Sequence, residues 1–574
     1  MKPRMPLGDF LVAYLRTLGI THLFGIPGDL VMRLFLRFGR PRGLHIVTMS
    51  HEPGVGFAAD GYARATGRIG VVCVTYGAGG HNMVNPVAGS FSERVPLLVI
   101  SGGPADEERK LGTLIHHQAK EIDSQLHIYR ELTCAARLID NPSTAAEEID
   151  EVVRAMWADR RPGYLEIHRD MVDRMIPVPE RIVEWNGRLP ERRSNPHKVR
   201  EAARETAEVL NAARAPLVIA GIECHRYRLT RELLQVVEHS GAPCVTTVLA
   251  KGAIPIDHPQ HMGVYIGAIS PPAIRARVDR ADVVLNFGTL LTDMNLMMRA
   301  PTFRLESAIS AVDDAVEIRH HTYDDVTLRD YLGALAKLRL RRHRERVTYS
   351  DNLKPQQRGV QRVIRMSDVL WEVNGFLRGR RDYVFVAESG DALFAGLDVR
   401  VEGPAGYFAQ GLYASMGFGV PGAMGMQIGT GRRPLVLCGD GAFQMTGPEI
   451  AHAPRHGVNP IILVLNNGGW GIFRPIAADR QDLLDLPSWP YAELGGLWGG
   501  WGARVETVTE LRDALEEAGQ RNEFAIIEAI IDPDDHSPVA RKYIGASLRR
   551  GAAPAAPIDK PRPIRRPARR RARA

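Results

Sequence analysis

Two glycine-rich turns carry the most legible chemistry in this sequence: Gly439-Asp440-Gly441 and Asn466-Asn467-Gly468-Gly469, each directly after an apolar run. The runs 435–438 and 461–465 read as strands, and the residues between them predict a helix of about a dozen residues ending near His456-Gly457. A crossover of that length joins parallel neighbours, so Asp440 and Asn467 should emerge side by side. One carboxylate, one amide oxygen and the backbone carbonyl of Gly469 form a hard-oxygen donor set. Such a set suits Mg²⁺, which takes the rest of its octahedron from phosphate and water. Gly439 and Gly441 let the main chain approach a diphosphate, whose charge helix-start amides favour. Either turn alone is ordinary; their pairing in one strand–helix–strand unit is what points to a metal. Upstream, VAESGD (386–391) is another strand exit, which puts Gly390 and Asp391 within reach of the same diphosphate.

Elements that could hold such turns recur along the chain. Runs such as GVVCVTYGAG, PLLVISGGP, APLVIAGIE, ADVVLNFGTLL and YVFVAESGD are apolar at nearly every position, as parallel strands covered on both faces require. They alternate with helical or loop segments, and in the first and third units each stops at a Gly/Asp/Asn/Glu-rich loop, where open parallel sheets bind ligands. The expected fold class is α/β, with three open parallel-sheet domains at residues 1–180, 196–345 and 359–548. Polar text from Pro177 to Pro196 reads as a linker. The stretch YLGALAKLRLRRHRERV (331–347) reads as a basic amphipathic outer helix.

At 574 residues the chain is too long for one core, which agrees with three domains. The net charge of +7 is local: residues 559–574 hold eight basic residues and one acid, leaving 1–558 formally neutral. Interspersed prolines make 558–574 a disordered basic tail, and binding of nucleic acid through it is a minor alternative. Five cysteines show no CxxC or metal-ligand spacing, and no window suggests a signal peptide or membrane span, so a cytoplasmic location is expected.

Together the motifs FGIPGD, SHEP, VGFAADGYAR, VTYGAG, VISGGP, LIHHQ and GDGAFQMTG resemble the thiamine-diphosphate enzymes of the pyruvate decarboxylase and acetohydroxyacid synthase superfamily. Within it they are most similar to phenylpyruvate and indolepyruvate decarboxylases. The resemblance covers all but the last fifteen or so residues. It implies a pyrimidine-binding first domain, a central domain and a diphosphate-binding third domain. It also implies thiamine diphosphate with Mg²⁺, and a homo-oligomer, at least a dimer and expected as a tetramer, with active sites between subunits. Glu52 matches the glutamate that pairs with the cofactor's pyrimidine. Met416 matches the residue that bends the cofactor, and the Ala414 carbonyl would hold its amino group. Asp29 and the His116-His117 pair match acid–base groups on the substrate side, with Thr75 close by. Imidazole suits proton delivery near neutral pH. Adjacent residues on one element normally point apart, so at most one histidine should reach the reacting atoms. Asp293, in LTDMN, matches a segment near the site entry or an effector site.

One departure stands out. Related decarboxylases carry a glutamate six residues after the metal-binding asparagine, and here that position is Phe473. An aromatic ring there favours an aryl or large aliphatic substrate, with Trp470 as a second candidate wall of the pocket. The expected reaction is non-oxidative decarboxylation of a 2-keto acid, phenylpyruvate or indole-3-pyruvate foremost. Loss of the glutamate leaves a carboligase forming acyloins as the alternative.

Overall fold

The computed structural model describes residues 3–296, 308–354, 363–403, 405–477 and 479–551. The basic tail falls outside them. In the first domain, β1 (Arg4–Pro6) pairs with β8 (Met175–Pro177) and clips the two ends of the domain together. Between them lie β2 (His22–Gly25), β3 (His45–Val47), β4 (Gly70–Val74), β5 (Leu97–Gly103), β6 (Ala135–Ile139) and β7 (Gly163–His168). These form a six-stranded sheet of order β3-β2-β4-β5-β7-β6, parallel throughout. The central domain contains β9 (Pro216–Ala220), β10 (Cys244–Thr246), β11 (His261–Val264), β12 (Val283–Phe287), β13 (Ala308–Val312), β14 (Ala315–Ile318) and β15 (His321–Asp324). The third domain contains β16 (Tyr383–Ala387), β17 (Tyr407–Ala409), β18 (Arg433–Gly439), β19 (Ile461–Asn466), β20 (Trp501–Val505) and β21 (Ala525–Ile530). Its sheet order is β17-β16-β18-β19-β21-β20, again parallel throughout.

Numbered within each domain's sheet, the first and third domains share one order: second, first, third, fourth, sixth, fifth. In each, the chain reverses direction across the sheet between the first and third strands, which opens a crevice at their carboxyl ends. In the first domain GIPGD and TYGAG leave β2 and β4 there. In the third, ESGD and Gly439-Asp440-Gly441 leave β16 and β18.

Three α/β domains were expected and are present. Several details differ. The central sheet is parallel through β13 but ends in the antiparallel strands β14 and β15, because Asp313-Asp314 makes a two-residue hairpin turn with Asp313 at φ +59°. The expected helix over 331–347 spans only Leu328–Leu335. Beyond it Leu338 and Leu340, two apart, both pack on the central core, a spacing that suits extended chain and not a helix. The expected linker at 177–196 is docked: Ile182 is buried, and Trp185 packs on Tyr14 with ring centroids 5.5 Å apart. The helix expected before His456 is a helix Asp440–Thr446, a 3-10 segment Gly447–His452 and one turn Ala453–His456.

The first and third domains share a hydrophobic core built around two crossing helices, Glu52–Thr66 and Gly419–Thr430. Their backbones nearly touch. A Cβ on Gly425 would lie 1.8 Å from the Ala58 carbonyl oxygen, and one on Gly61 would lie 2.1 Å from that of Gly422. Glycine is required at both positions for the approach.

Candidate active site

β18 and β19 are adjacent and parallel, with Gly439 opposite Leu465, so Asp440 and Asn467 leave neighbouring strands as expected. Asp440 is 2 % exposed and accepts from the backbone amides of Gly441 (2.7 Å) and Gly469 (3.0 Å). Burial pushes its carboxyl up to about 6, against the pull of the surrounding amides. A carboxylate so held is short of positive charge, as a divalent-ion ligand should be. The Asn467 side-chain oxygen accepts from the same Gly469 amide at 3.3 Å. The Gly469 carbonyl accepts from Gly471 at 2.8 Å, leaving its second lone pair for an ion. Asn466 acts elsewhere, donating its side-chain amide to the buried Glu528 (2.8 Å) and so holding the strand end.

The glycines around these donors leave space. A Cβ at Gly390, Gly439 or Gly468 would meet nothing within 4 Å, and Gly390 and Gly468 have φ near +82° and +72°. This glycine-framed space beside three oxygen donors fits a diphosphate carrying a divalent ion. Asp391 starts the helix Asp391–Gly396, and one of its carboxylate oxygens accepts from the Ser537 amide at 3.0 Å while the other has no hydrogen-bond partner among the described residues. Its side chain thus ties down the C-terminal segment. The Trp470 ring lies against Gly441, where a Cβ would come within 2.4 Å of it, so this indole braces the Gly439-Asp440-Gly441 turn. Phe473 is half exposed in a single chain.

The loop before the helix Gly419–Thr430 is held from several sides. Ala414 sits at φ +54°, and its carbonyl accepts from the Ser389 hydroxyl at 2.8 Å. Glu93 of the first domain accepts from the amides of Leu412 (2.8 Å) and Tyr413 (3.2 Å), and Asn85 donates to Ser415 (2.8 Å). Met416 is half-buried against the shared core. Glu388, buried, accepts from the amides of Ser389 (2.8 Å) and Gly419 (2.6 Å) and so caps that helix. Burial pushes its carboxyl up to about 7.

At the first domain's crevice, Glu52 begins its helix and accepts from the Asn82 side chain at 3.0 Å. Gly79 separates Glu52 from the second group: a Cβ there would lie 3.4 Å from a Glu52 carboxylate oxygen and 3.2 Å from the Thr75 methyl. Thr75 in turn donates to Asp29 at 3.3 Å. The opposite oxygen of Asp29 hydrogen-bonds His116, and His117 Nε2 lies 3.8 Å from the first. Burial works to raise the Asp29 carboxyl, but bonding to His116 and the Leu30 amide, with both imidazoles near, holds it below the usual range. The expectation that adjacent histidines diverge fails here. His117 has φ +67°, with its backbone packed on Gly77, and this left-handed residue swings both rings onto one carboxylate.

Sequence reasoning missed Asn82, Gln125 and Glu449. Gln125, buried, accepts from the Gly77 amide (2.7 Å) and donates to Ser101 (2.9 Å), fixing the TYGAG turn. Glu449, from the third domain, accepts from the amides of Ser50 (2.8 Å) and His51 (3.1 Å), just ahead of Glu52. It lies nine residues past Asp440 on a broken helix, and no local pattern signals so distant a partner. Asp293 starts a short helix, Asp293–Leu296, exposed and bonded to the Met294 amide, outside both groups of residues.

Comparison with known proteins agrees with this geometry. Residues 5–128 match the thiamine pyrophosphate enzyme N-terminal TPP binding domain, 203–337 the central domain and 390–529 the C-terminal TPP binding domain. An indole-3-pyruvate decarboxylase of Azospirillum brasilense is 35 % identical over 96 % of this chain and all of its own length. Pyruvate decarboxylase 1 of Oryza sativa subsp. indica is 28 % identical over 92 % of this chain and 89 % of its own. An alpha-keto-acid decarboxylase of Mycobacterium avium (strain 104) is 28 % identical over 93 % and 94 %. The chain belongs to the thiamine pyrophosphate enzymes and, within them, to the non-oxidative 2-keto-acid decarboxylases.

Proposed function

We propose that this enzyme converts an arylpyruvate, phenylpyruvate or indole-3-pyruvate, into the corresponding aldehyde and CO₂. The observation that carries this reading is the run of neighbours in one crevice from Glu52 across Gly79 to Thr75, and from Thr75 to Asp29 with His116 and His117. When bound, thiamine diphosphate supplies an electron sink for the pair that departing CO₂ leaves behind. Asp440, Asn467 and the Gly469 carbonyl would hold Mg²⁺ against its diphosphate, and the amides at Gly390 and Gly439 would take up remaining charge. Ala414 and Met416 would set its orientation, and Glu52 would exchange a proton with its pyrimidine ring. Asp29 and the two imidazoles hold the proton that must reach the former keto carbon, a role that Phe473 cannot share. Phe473 would border the substrate's path, its ring favouring an aromatic side chain.

Active sites between subunits are supported by apolar side chains bare in one chain, among them Leu114 and Phe473. A solution mass of one chain would refute this. Among the described residues no helix is long and apolar enough to cross a membrane. A cytoplasmic location is supported by five free thiols.

Product analysis tests the reading. With phenylpyruvate, purified holoenzyme should release phenylacetaldehyde and CO₂ in equal amounts, and pyruvate should turn over at least about tenfold more slowly. The apolar Phe473 favours one second reading, a carboligase; acyloin as sole product would establish it and overturn the first.

A further inference from the structure

The crevice of the first domain holds three donors in an arrangement that proton delivery alone does not require. One carboxylate oxygen of Asp29 and one ring nitrogen from each of His116 and His117 lie within 4.8 Å of one another. Both imidazoles present Nε2 to the same carboxylate, so all three point into one volume. The loop conformation that achieves this is specific: His117 at φ +67° sits where a Cβ on Gly77 would lie 2.0 Å from its carbonyl oxygen. Asp29 is fixed by Thr75, whose own position leaves no room for a side chain at Gly28, where a Cβ would meet Thr75 at 2.6 Å. The side chains stay open to solvent, at 49 %, 56 % and 36 % exposure for Asp29, His116 and His117 in one chain.

Two imidazoles and a carboxylate with an open fourth side make a donor set for borderline divalent ions, Zn²⁺ above all, and a poor one for Mg²⁺. Donor atoms around a tetrahedral zinc lie roughly 3.3–3.5 Å apart, given metal–ligand bonds near 2.0–2.1 Å, a spacing side-chain rotation can reach from the one observed. The third domain offers the opposite set, oxygens only, at Asp440, Asn467 and Gly469. The two sites therefore sort ions by hardness. We propose that Asp29, His116 and His117 form an inhibitory site for Zn²⁺ or a similar transition-metal ion, separate from the Mg²⁺ site. An ion there occupies the lone pairs that carry and release protons, so turnover stops while cofactor and Mg²⁺ stay bound. The binding stands on geometry alone; the inhibition also rests on the roles proposed above for these three residues.

The test uses holoenzyme with thiamine diphosphate and excess Mg²⁺. Zn²⁺ is titrated by calorimetry, and Co²⁺ by the visible bands of a four-coordinate ion, with turnover followed in parallel. One ion per subunit is expected, with turnover falling in step with occupancy and returning when a chelator removes the ion at constant Mg²⁺. Asp29→Asn, which keeps the shape, and His117→Ala should each weaken binding by about 100-fold or more. His321→Ala, which removes the surface pair with Glu205 (3.0 Å), should leave both stoichiometry and affinity unchanged. Undiminished binding in Asp29→Asn and His117→Ala together would overturn the site. Binding lost in those variants, but with wild-type turnover indifferent to bound ion, would uphold the site and overturn the inhibition and the proton-handling role together.

Discussion

At the scale of single residues, the chemistry turns on carboxylates whose surroundings set their roles. Glu52 lies at a helix start with Asn82 as its partner, and its proposed role is proton exchange with the cofactor. Glu52→Gln should keep the fold and the cofactor but lower kcat by about 10²–10⁴-fold, measured as CO₂ release with cofactor occupancy read separately. Glu388 is a contrasting case. Burial raises its carboxyl from an ordinary 4.5 to about 7, so the folded protein holds a proton that the unfolded chain releases between those values. Its contribution to stability is therefore full below about pH 4.5 and lost as pH rises through 7, at most about 3 kcal/mol. The thermal midpoint of the apoprotein should fall from pH 5 to pH 8 more steeply in wild type than in Glu388→Gln; parallel curves would contradict this. Residues of this kind differ in how legible they are. Asp440 and Asn467 were readable because each directly follows an apolar strand, a purely local signal. The convergence of His116 and His117 was not, because histidine only weakly favours a left-handed backbone, and nothing local says which of two adjacent histidines adopts it.

Among the elements, the crossing of the helices Glu52–Thr66 and Gly419–Thr430 sets the distance between the two domains' loops. One helix begins at Glu52 and the other directly after Met416-Gly417-Phe418, and each has a buried acid at its start: Glu449 for the first, Glu388 for the second. Gly425→Ala would drive a methyl into the Ala58 carbonyl. The helices must then part, costing about 1–3 kcal/mol of stability and loosening cofactor binding; calorimetric unfolding with and without thiamine diphosphate measures both. An unchanged midpoint would show that the backbones do not approach as described. Strand runs were legible here because β18 and its neighbours are apolar on both faces: Leu435 and Leu437 enter one core while Val436 and Cys438 enter the other. The basic stretch 331–347 misled because Leu338 and Leu340 also fit a helical reading when counted with their neighbours, and only tertiary contact decides between the two periods.

For the molecule as a whole, one sheet order appears in both the first and third domains, and in the proposed function each crevice holds a different end of one cofactor, the two crevices coming from different subunits. The first presents acids and imidazoles; the third presents oxygen donors and glycine-framed space. Three domains were legible from length and from repeated strand exits. The shared core between first and third domains was not, since nothing in a strand names the helix from a distant domain that will cover it. The proposed chemistry depends on thiamine diphosphate being held through a divalent ion at the exits of β18 and β19. Calorimetric titration of apoprotein with thiamine diphosphate, with and without Mg²⁺, tests this in wild type and Asp440→Asn. Tight binding that needs Mg²⁺ in wild type, weakened about 100-fold or more in the variant, is the predicted result. Equal affinity in both proteins, or binding indifferent to Mg²⁺, would contradict it.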